Sequence, residues 1–313
     1  MQGLWIALGA VTVLAAVAAL IAYICFRMAF YVPIKQPVNS QEYPLPEGKV
    51  YEPYWPTMTR WMQETRQIPC REVAIRSFDG LVLRGKYYEY APGALIELML
   101  HGYRSCSERD MCGGVQRCFK LGRSALIVDQ RACGSSEGNV ITFGVNESRD
   151  CLSWVDFLIE TFGPEVKIIL TGISMGAATV LMAAGRGVPE NVVGVLADCG
   201  YTSARDIIKT VIRQMKLPAE LAYPFVKLGA RLYGHFDLEG LPPIEAVKVC
   251  KVPVIFFHGE TDDYVPCQMS VRNYEACASR KQLVIVPNAG HGLCYPADHQ
   301  RYLDALELFF AEL

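Results

Sequence analysis

The chain has 313 residues, 51% of them hydrophobic, and a formal net charge of −2. Length and apolar content allow one large buried core or two smaller ones. The near-neutral charge and the lack of a basic run exclude the footprint of a nucleic-acid binder, and no internal repeat or low-complexity tract points to an array.

The first element is apolar throughout. Leu4 to Phe26 carries no charge over 23 residues, about 35 Å as a helix and enough to cross a bilayer core. Arg27 closes it. No basic n-region and no small-x-small cleavage site accompany it, so residues 1–30 read as a membrane anchor rather than a cleaved signal peptide. Arg27, Lys35 and Lys49 lie on its C-terminal side, which by the positive-inside bias makes this a single-pass protein with a cytoplasmic body. The twelve cysteines include Cys151, Cys199 and Cys250 within expected strands and helices, and no Cys-x-x-Cys pair. They read as reduced thiols rather than a disulfide framework or a zinc site. Residues 31–69 hold Pro33, Pro37, Pro44, Pro46, Pro53, Pro56 and Pro69. This stretch reads as a juxtamembrane linker that holds the body off the membrane, with a short helix around Met58 to Thr65.

From residue 70 to 313 strand-like and helix-like patterns alternate. Glu72–Arg76 and Leu81–Tyr88, joined by Phe78-Asp79-Gly80, read as a hairpin. Leu95–Leu100 and Ser124–Val128 are strands flanking a helix over Arg109–Leu121, and an amphipathic helix over Glu147–Glu160 stops at Gly163-Pro164. Val166–Thr171 is the next strand. Val192–Ala197, Val252–Phe257 and Leu283–Val286 complete a set of eight, and Ala297–Leu313 forms a terminal helix. Apolar strands alternating with helices predict a mostly parallel eight-stranded sheet covered on both faces, with reactive groups at the strand carboxyl ends. Between Tyr201 and Pro243 two helices, Ala204–Met215 and Ala219–Tyr233, follow each other without a strand. They read as a small helical lid.

The chemistry centres on Gly172-Ile173-Ser174-Met175-Gly176. An apolar strand precedes it and the helix-forming Ala177–Ala184 follows, so Ser174 sits on a sharp turn with its hydroxyl exposed. A serine needs a base. His291, in the Gly-rich loop between the last strand and the last helix, is the one placed to reach it. His101 and His258, at strand ends, read as turn-shaping residues, and His235 and His299 as surface residues. His291, Cys294 and His299 have metal-like spacing but no fourth ligand. The base needs a carboxylate to hold its tautomer. Glu260, Asp262 and Asp263 follow the penultimate strand and leave that choice open on position alone. The backbone N–H groups of Met175 and of Tyr103 are suited to an oxyanion. Tyr103's side chain reads equally as an acyl-pocket wall or as loop packing.

Leu100-His101-Gly102-Tyr103-Arg104-Ser105, Asp129-Gln130-Arg131-Ala132-Cys133-Gly134-Ser135-Ser136-Glu137-Gly138, the Ser174 turn, Asp262-Asp263-Tyr264-Val265-Pro266 and Gly290-His291-Gly292 together resemble the α/β-hydrolase superfamily over residues 70–313. Within it the chain is similar to the serine aminopeptidase S33-like or monoacylglycerol-lipase-like branch, of a bacterial membrane-anchored type. The family's His-Gly-x-x-Asp-x-x-Val-Pro pattern implies Asp262 as the acid, with Asp263 as runner-up. The order Ser174, Asp262, His291 is that of the family. Where the family often has Arg-Gly-His-Gly, this chain has Arg131-Ala132-Cys133-Gly134, a change that touches no triad position. Asp198 reads as structural. The resemblance implies a serine hydrolase acting on carboxylic esters of a small-molecule acyl substrate, with no cofactor and no metal. Amidase, peptidase or thioesterase chemistry on the same triad, or a silent binding protein, are the alternatives.

Overall fold

The computed structural model describes residues 2–33 and 42–311. Lys35 and Pro37 lie outside them.

Helix α1 (Gln2–Ala29) is followed, after residues 42–54, by α2 (Trp55–Gln67). The body starts with β1 (Arg71–Arg76), β2 (Val82–Tyr88) and β3 (Ile96–Leu100). Two short helices, α3 (Ser107–Asp110) and α4 (Gly114–Lys120), lead to β4 (Ser124–Asp129) and α5 (Glu147–Phe162). Then come β5 (Ile168–Ile173), α6 (Met175–Gly185) and β6 (Val192–Asp198). The insertion expected as a lid forms α7 (Ala204–Gln214) and α8 (Ala219–Tyr233), and α9 (Pro243–Val249) returns the chain to the sheet. The chain finishes with β7 (Val254–Gly259), α10 (Gln268–Ala276), β8 (Lys281–Val286), α11 (Cys294–Ala297) and α12 (His299–Phe309).

The sheet has eight strands in the order β1-β2-β4-β3-β5-β6-β7-β8. Only β2 runs against its neighbours; from β4 to β8 every pair is parallel. Strands β3, β4 and β7 are buried along their whole length. This is why they read as unbroken apolar runs: helices cover both faces. The α/β-hydrolase architecture expected from the sequence is therefore the observed one.

Three local expectations need correction. The helix expected over residues 109–121 is broken at Met111-Cys112-Gly113 into α3 and α4, because the Gly113-Gly114 pair carries the highest backbone entropy cost of the segment. The terminal helix starts only at His299, where the Asp298 carboxylate accepts the Arg301 N–H and caps it. The standoff expected from the proline-rich segment is absent along residues 42–69. Met58, Trp61 and Met62 of α2 are buried against α11 and α12, and Trp61 stacks on Tyr295 with ring centroids 5.3 Å apart. The segment is a wall of the body, not a spacer.

The end of α1 is also built into the body. Ala22, Phe26 and Phe30 are buried. Phe30 makes edge contacts with Phe143 and with Phe236 of the lid, at 5.7 and 5.3 Å. Helix α8 runs antiparallel along α1 so closely that a Cβ on Gly229 would stand 2.4 Å from the Ala22 carbonyl oxygen.

Candidate active site

The turn between β5 and α6 holds Ser174 at φ 56°, ψ −115°, in the left-handed region that a serine adopts only under constraint. The constraint is steric and local. A Cβ on Gly172 would meet the Gly176 backbone at 2.2 Å, and one on Gly176 would meet the Leu100 carbonyl at 2.0 Å. Only glycine fits either place. The Ser174 N–H donates to the Asp198 carbonyl at 2.8 Å, which pins the turn to the end of β6.

Three of the residues singled out in the sequence meet here. His291 Nε2 lies 2.9 Å from Ser174 Oγ, and His291 Nδ1 lies 2.7 Å from Asp262 Oδ2. The Asp262 carboxylate has no proton to give, so Nδ1 carries the hydrogen and Nε2 accepts from the serine hydroxyl. Asp262 Oδ1 accepts the Tyr264 and Val265 N–H groups at 2.9 and 2.8 Å. Burial opposes the charge on Asp262, but hydrogen bonds from His258 and His291 outweigh it and hold its pKa well below the usual carboxylate range. Asp263, the runner-up, does not touch His291 among the described contacts; its carbonyl accepts from Gln214.

His258 is more than the turn-shaping residue expected. It is fully buried, and its Nε2 sits 2.9 Å from the Val265 carbonyl and 3.2 Å from Asp262 Oδ2. Its Nδ1 faces Ser270 Oγ at 2.7 Å. It braces Asp262 Oδ2, the same oxygen that His291 holds. The i, i+4 spacing of His258 and Asp262 across a tight turn was the available signal. His299 is half-buried rather than a free surface residue, with its ring against Trp61 and Tyr295. It is not brought to His291 and Cys294, so the metal-like spacing forms no cluster. Cys199 does come close: its sulfur, Asp262 and His291 offer atoms all within 4.8 Å of one another. Burial pushes the Cys199 thiol well up, which keeps it protonated and a poor metal ligand.

The two expected oxyanion donors flank Ser174. Gly102 packs against the serine, and its N–H is committed to Asp110 Oδ2 at 2.7 Å. The next N–H in the loop belongs to Tyr103. Met175 is the first residue of α6, where an N–H has no carbonyl of its own helix. Nothing among the described residues accepts from either group. Tyr103's side chain does both things the sequence left open. It lines the cavity, and it packs on Phe143 at 5.0 Å while donating to the Ala29 carbonyl at 2.7 Å.

Ser174 and His291 open onto a cavity of about 590 Å³ lined by Val50, Tyr51, Tyr103, Asp198 and Tyr264 among others. Val50 and Tyr51 come from the supposed linker. Asp198 accepts from the Tyr302 hydroxyl at 3.1 Å, and burial raises its pKa. A second cleft of about 570 Å³ lies at the lid's outer edge, lined by Arg205, Lys209, Arg213 and Arg272. It contains no serine–histidine pair.

Residues 98–305 match the sequence profile of the alpha/beta hydrolase family. The chain belongs to the alpha/beta hydrolase family. It is similar to the uncharacterized protein YqkD of Bacillus subtilis, 28% identical over 190 residues, 60% of this chain and 62% of that protein. It is also similar to the uncharacterized protein Rv2307c of Mycobacterium tuberculosis, 25% identical over 91% of this chain and 87% of that protein. Among solved structures it resembles the Pyrococcus furiosus esterase Pf2001, with a TM-score of 0.66 and 21% identity over 89% of this chain and 98% of that one. Est1E of Butyrivibrio proteoclasticus, solved with ferulic acid bound, gives a TM-score of 0.58 and 18% identity over 77% of this chain and 98% of that one. These structural likenesses show the fold.

Proposed function

We propose that this alpha/beta hydrolase is a membrane-anchored serine esterase, on the S33-like or monoacylglycerol-lipase-like branch, that cleaves carboxylic esters of a small-molecule acyl substrate. The observation that carries this reading is the hydrogen-bonded relay from Ser174 through His291 to Asp262, at 2.9 and 2.7 Å, opening onto the cavity.

Ser174 Oγ attacks the ester carbonyl as its proton passes to His291 Nε2. The Tyr103 and Met175 N–H groups hold the oxyanion, and Asp262 stabilises the imidazolium. His291 then protonates the leaving alcohol. A water, deprotonated by His291, attacks the acyl-enzyme and frees Ser174. No cofactor enters this sequence.

The lid argues for an ester over an aminopeptide. An aminopeptidase needs a free carboxylate for the substrate's amino terminus. Glu220 is engaged with Lys209 and Arg213, Glu239 with Lys227 and the Tyr223 hydroxyl, and Asp237, which has no cationic partner among the described contacts, accepts the Glu239 N–H. Membrane anchoring rests on α1, whose Leu4–Ala29 stretch has a mean hydropathy of 2.5. A cleaved signal would take with it Phe26 and Phe30, which belong to the buried core. The positive charges beyond Arg27 orient the body to the cytoplasm.

Ser174→Ala abolishes labelling by a fluorophosphonate probe and leaves the melting curve unchanged; retained labelling overturns the nucleophile. p-Nitrophenyl acyl esters turn over faster than aminoacyl arylamides; the reverse order moves the enzyme to the peptidases.

A further inference from the structure

We propose that lid helix α8 is itself embedded in the membrane surface, so that the cavity is fed from the lipid phase and its substrates are acyl esters held in a bilayer. The proposal rests on the anchored-esterase reading above and names its substrate class.

The argument is one of depth. Arg27 is the first charge after the apolar run and marks the level of the interface. Ala19 lies eight residues further into the apolar span, about 12 Å along the axis. The headgroup layer on each side of a bilayer is only about 5–7 Å thick. Helix α8 climbs past Arg27 alongside α1. Gly229 packs on Ala22 and Phe26. Tyr233 sits edge-on to Tyr23 at 5.2 Å and donates to the Ala19 carbonyl at 3.1 Å. A membrane that takes up α1 therefore takes up the C-terminal end of α8 as well, because the two are packed side by side at the same level.

The outer face of α8 suits that place. Leu221, Phe225, Leu228 and Leu232 recur at spacings of four, three and four and form one stripe. Leu221 is 70% exposed and Leu232 47%. Arg231 flanks the stripe, long enough to carry its charge toward lipid phosphates, while the Lys227 charge is met by Glu239. This is the pattern of a helix lying at a membrane surface. The cavity is near at hand. Tyr103, one of its walls, is hydrogen-bonded to the carbonyl of Ala29, two residues beyond Arg27, and Arg104 reaches the carbonyls of Met28 and Tyr31. The Tyr103 wall of the site is thus at the level of the headgroups. An ester in the outer part of the bilayer reaches Ser174 without crossing water.

The test uses the full chain in vesicles of phosphatidylcholine and phosphatidylglycerol. A diazirine amino acid replaces Leu14 of α1, Leu232 of α8 or Leu308 of α12 in separate preparations, and lipid adducts are read by mass spectrometry. Adducts at 14 and 232 but not at 308 are expected. Adducts at 14 without adducts at 232 overturn the embedded lid. No adduct at 14 sinks the membrane anchor and the proposal with it. A second arm compares L232E with the parent chain. Turnover of a long-chain acyl ester dissolved in the vesicles falls at least tenfold, while p-nitrophenyl acetate in solution is hydrolysed as before. Equal turnover of the vesicle-borne ester by both chains overturns the route from the bilayer. Loss of the soluble activity in the parent chain itself points instead to failure of the esterase reading, which fluorophosphonate labelling checks separately.

Discussion

At the scale of single residues, the site depends on which way one carboxylate faces. Asp262 Oδ1 is fixed by two backbone N–H donors, and Oδ2 is left to His291 and His258. Asp262→Asn keeps this shape but must place its amide nitrogen where Oδ2 was, since the backbone donors hold the oxygen. His291 Nδ1 then becomes an acceptor, Nε2 carries the hydrogen, and the serine loses its base. We expect kcat on p-nitrophenyl acetate to fall about 10³- to 10⁴-fold with little change in melting temperature. A loss of less than tenfold would place the acid elsewhere. Ser174 and His291 were legible in the sequence because each lies on a loop at a strand end next to glycines, where residue type and spacing speak directly, whereas Asp262 was singled out from its neighbouring acids only by the family resemblance. His258 was not. A histidine at the end of a buried strand looks the same whether it supports a turn or a carboxylate, and its i, i+4 spacing to Asp262, the one clue, does not decide between them.

At the scale of elements, the sheet and its first covering helix are tied by one buried charge cluster. Glu97 of β3 is fully buried and binds Arg117 of α4, Arg123 ahead of β4, and the Thr171 hydroxyl of β5. Burial alone would raise its pKa, but the two guanidinium groups outweigh burial and bring it down from 4.5 to about 2. A depressed carboxylate stabilises the fold fully above its unfolded pKa and loses that contribution as the pH falls through the folded one. The window is therefore about pH 4.5 to 2, and the contribution is on the order of 3 kcal/mol. Glu97→Gln leaves two buried cations without a counter-charge and should cost about 3–5 kcal/mol at neutral pH. Urea midpoints measured from pH 7 to pH 3 test both statements. The variant starts lower, and its midpoint declines less steeply below pH 4.5. Parallel curves would show that Glu97 is not the titrating group. Nothing in the order of residues warned of this cluster. Glu97 stands inside an apolar strand, and its partners come from α4, from the start of β4 and from β5.

At the scale of the whole molecule, α1 belongs to two structures at once. Residues 4–17 are exposed along their length, while one face of the second half, through Ala22 and Phe26 and on to Phe30, joins the core. The apolar run was plain in the sequence, but no pattern in it says which residues face lipid and which face protein, since both surroundings select the same side chains. The distinction is measurable. Phe26 and Phe30 together contribute roughly 3–6 kcal/mol through burial, a large share of the net stability of an ordinary domain. The Tyr103 loop also hangs on the Ala29 carbonyl. Deleting residues 2–17 removes only the free half, so the melting temperature and the turnover of p-nitrophenyl acetate should stay as they are. Deleting residues 2–33 strips the contacts of Phe143 and Phe236 with Phe30. A drop of about 10 °C or more is expected, with a fall in kcat for the soluble ester as the Tyr103 N–H loses its fixed position. If both truncations melt and turn over alike, α1 is a tether and no more. If only the longer deletion fails, the apolar N-terminal helix also completes the site around Ser174.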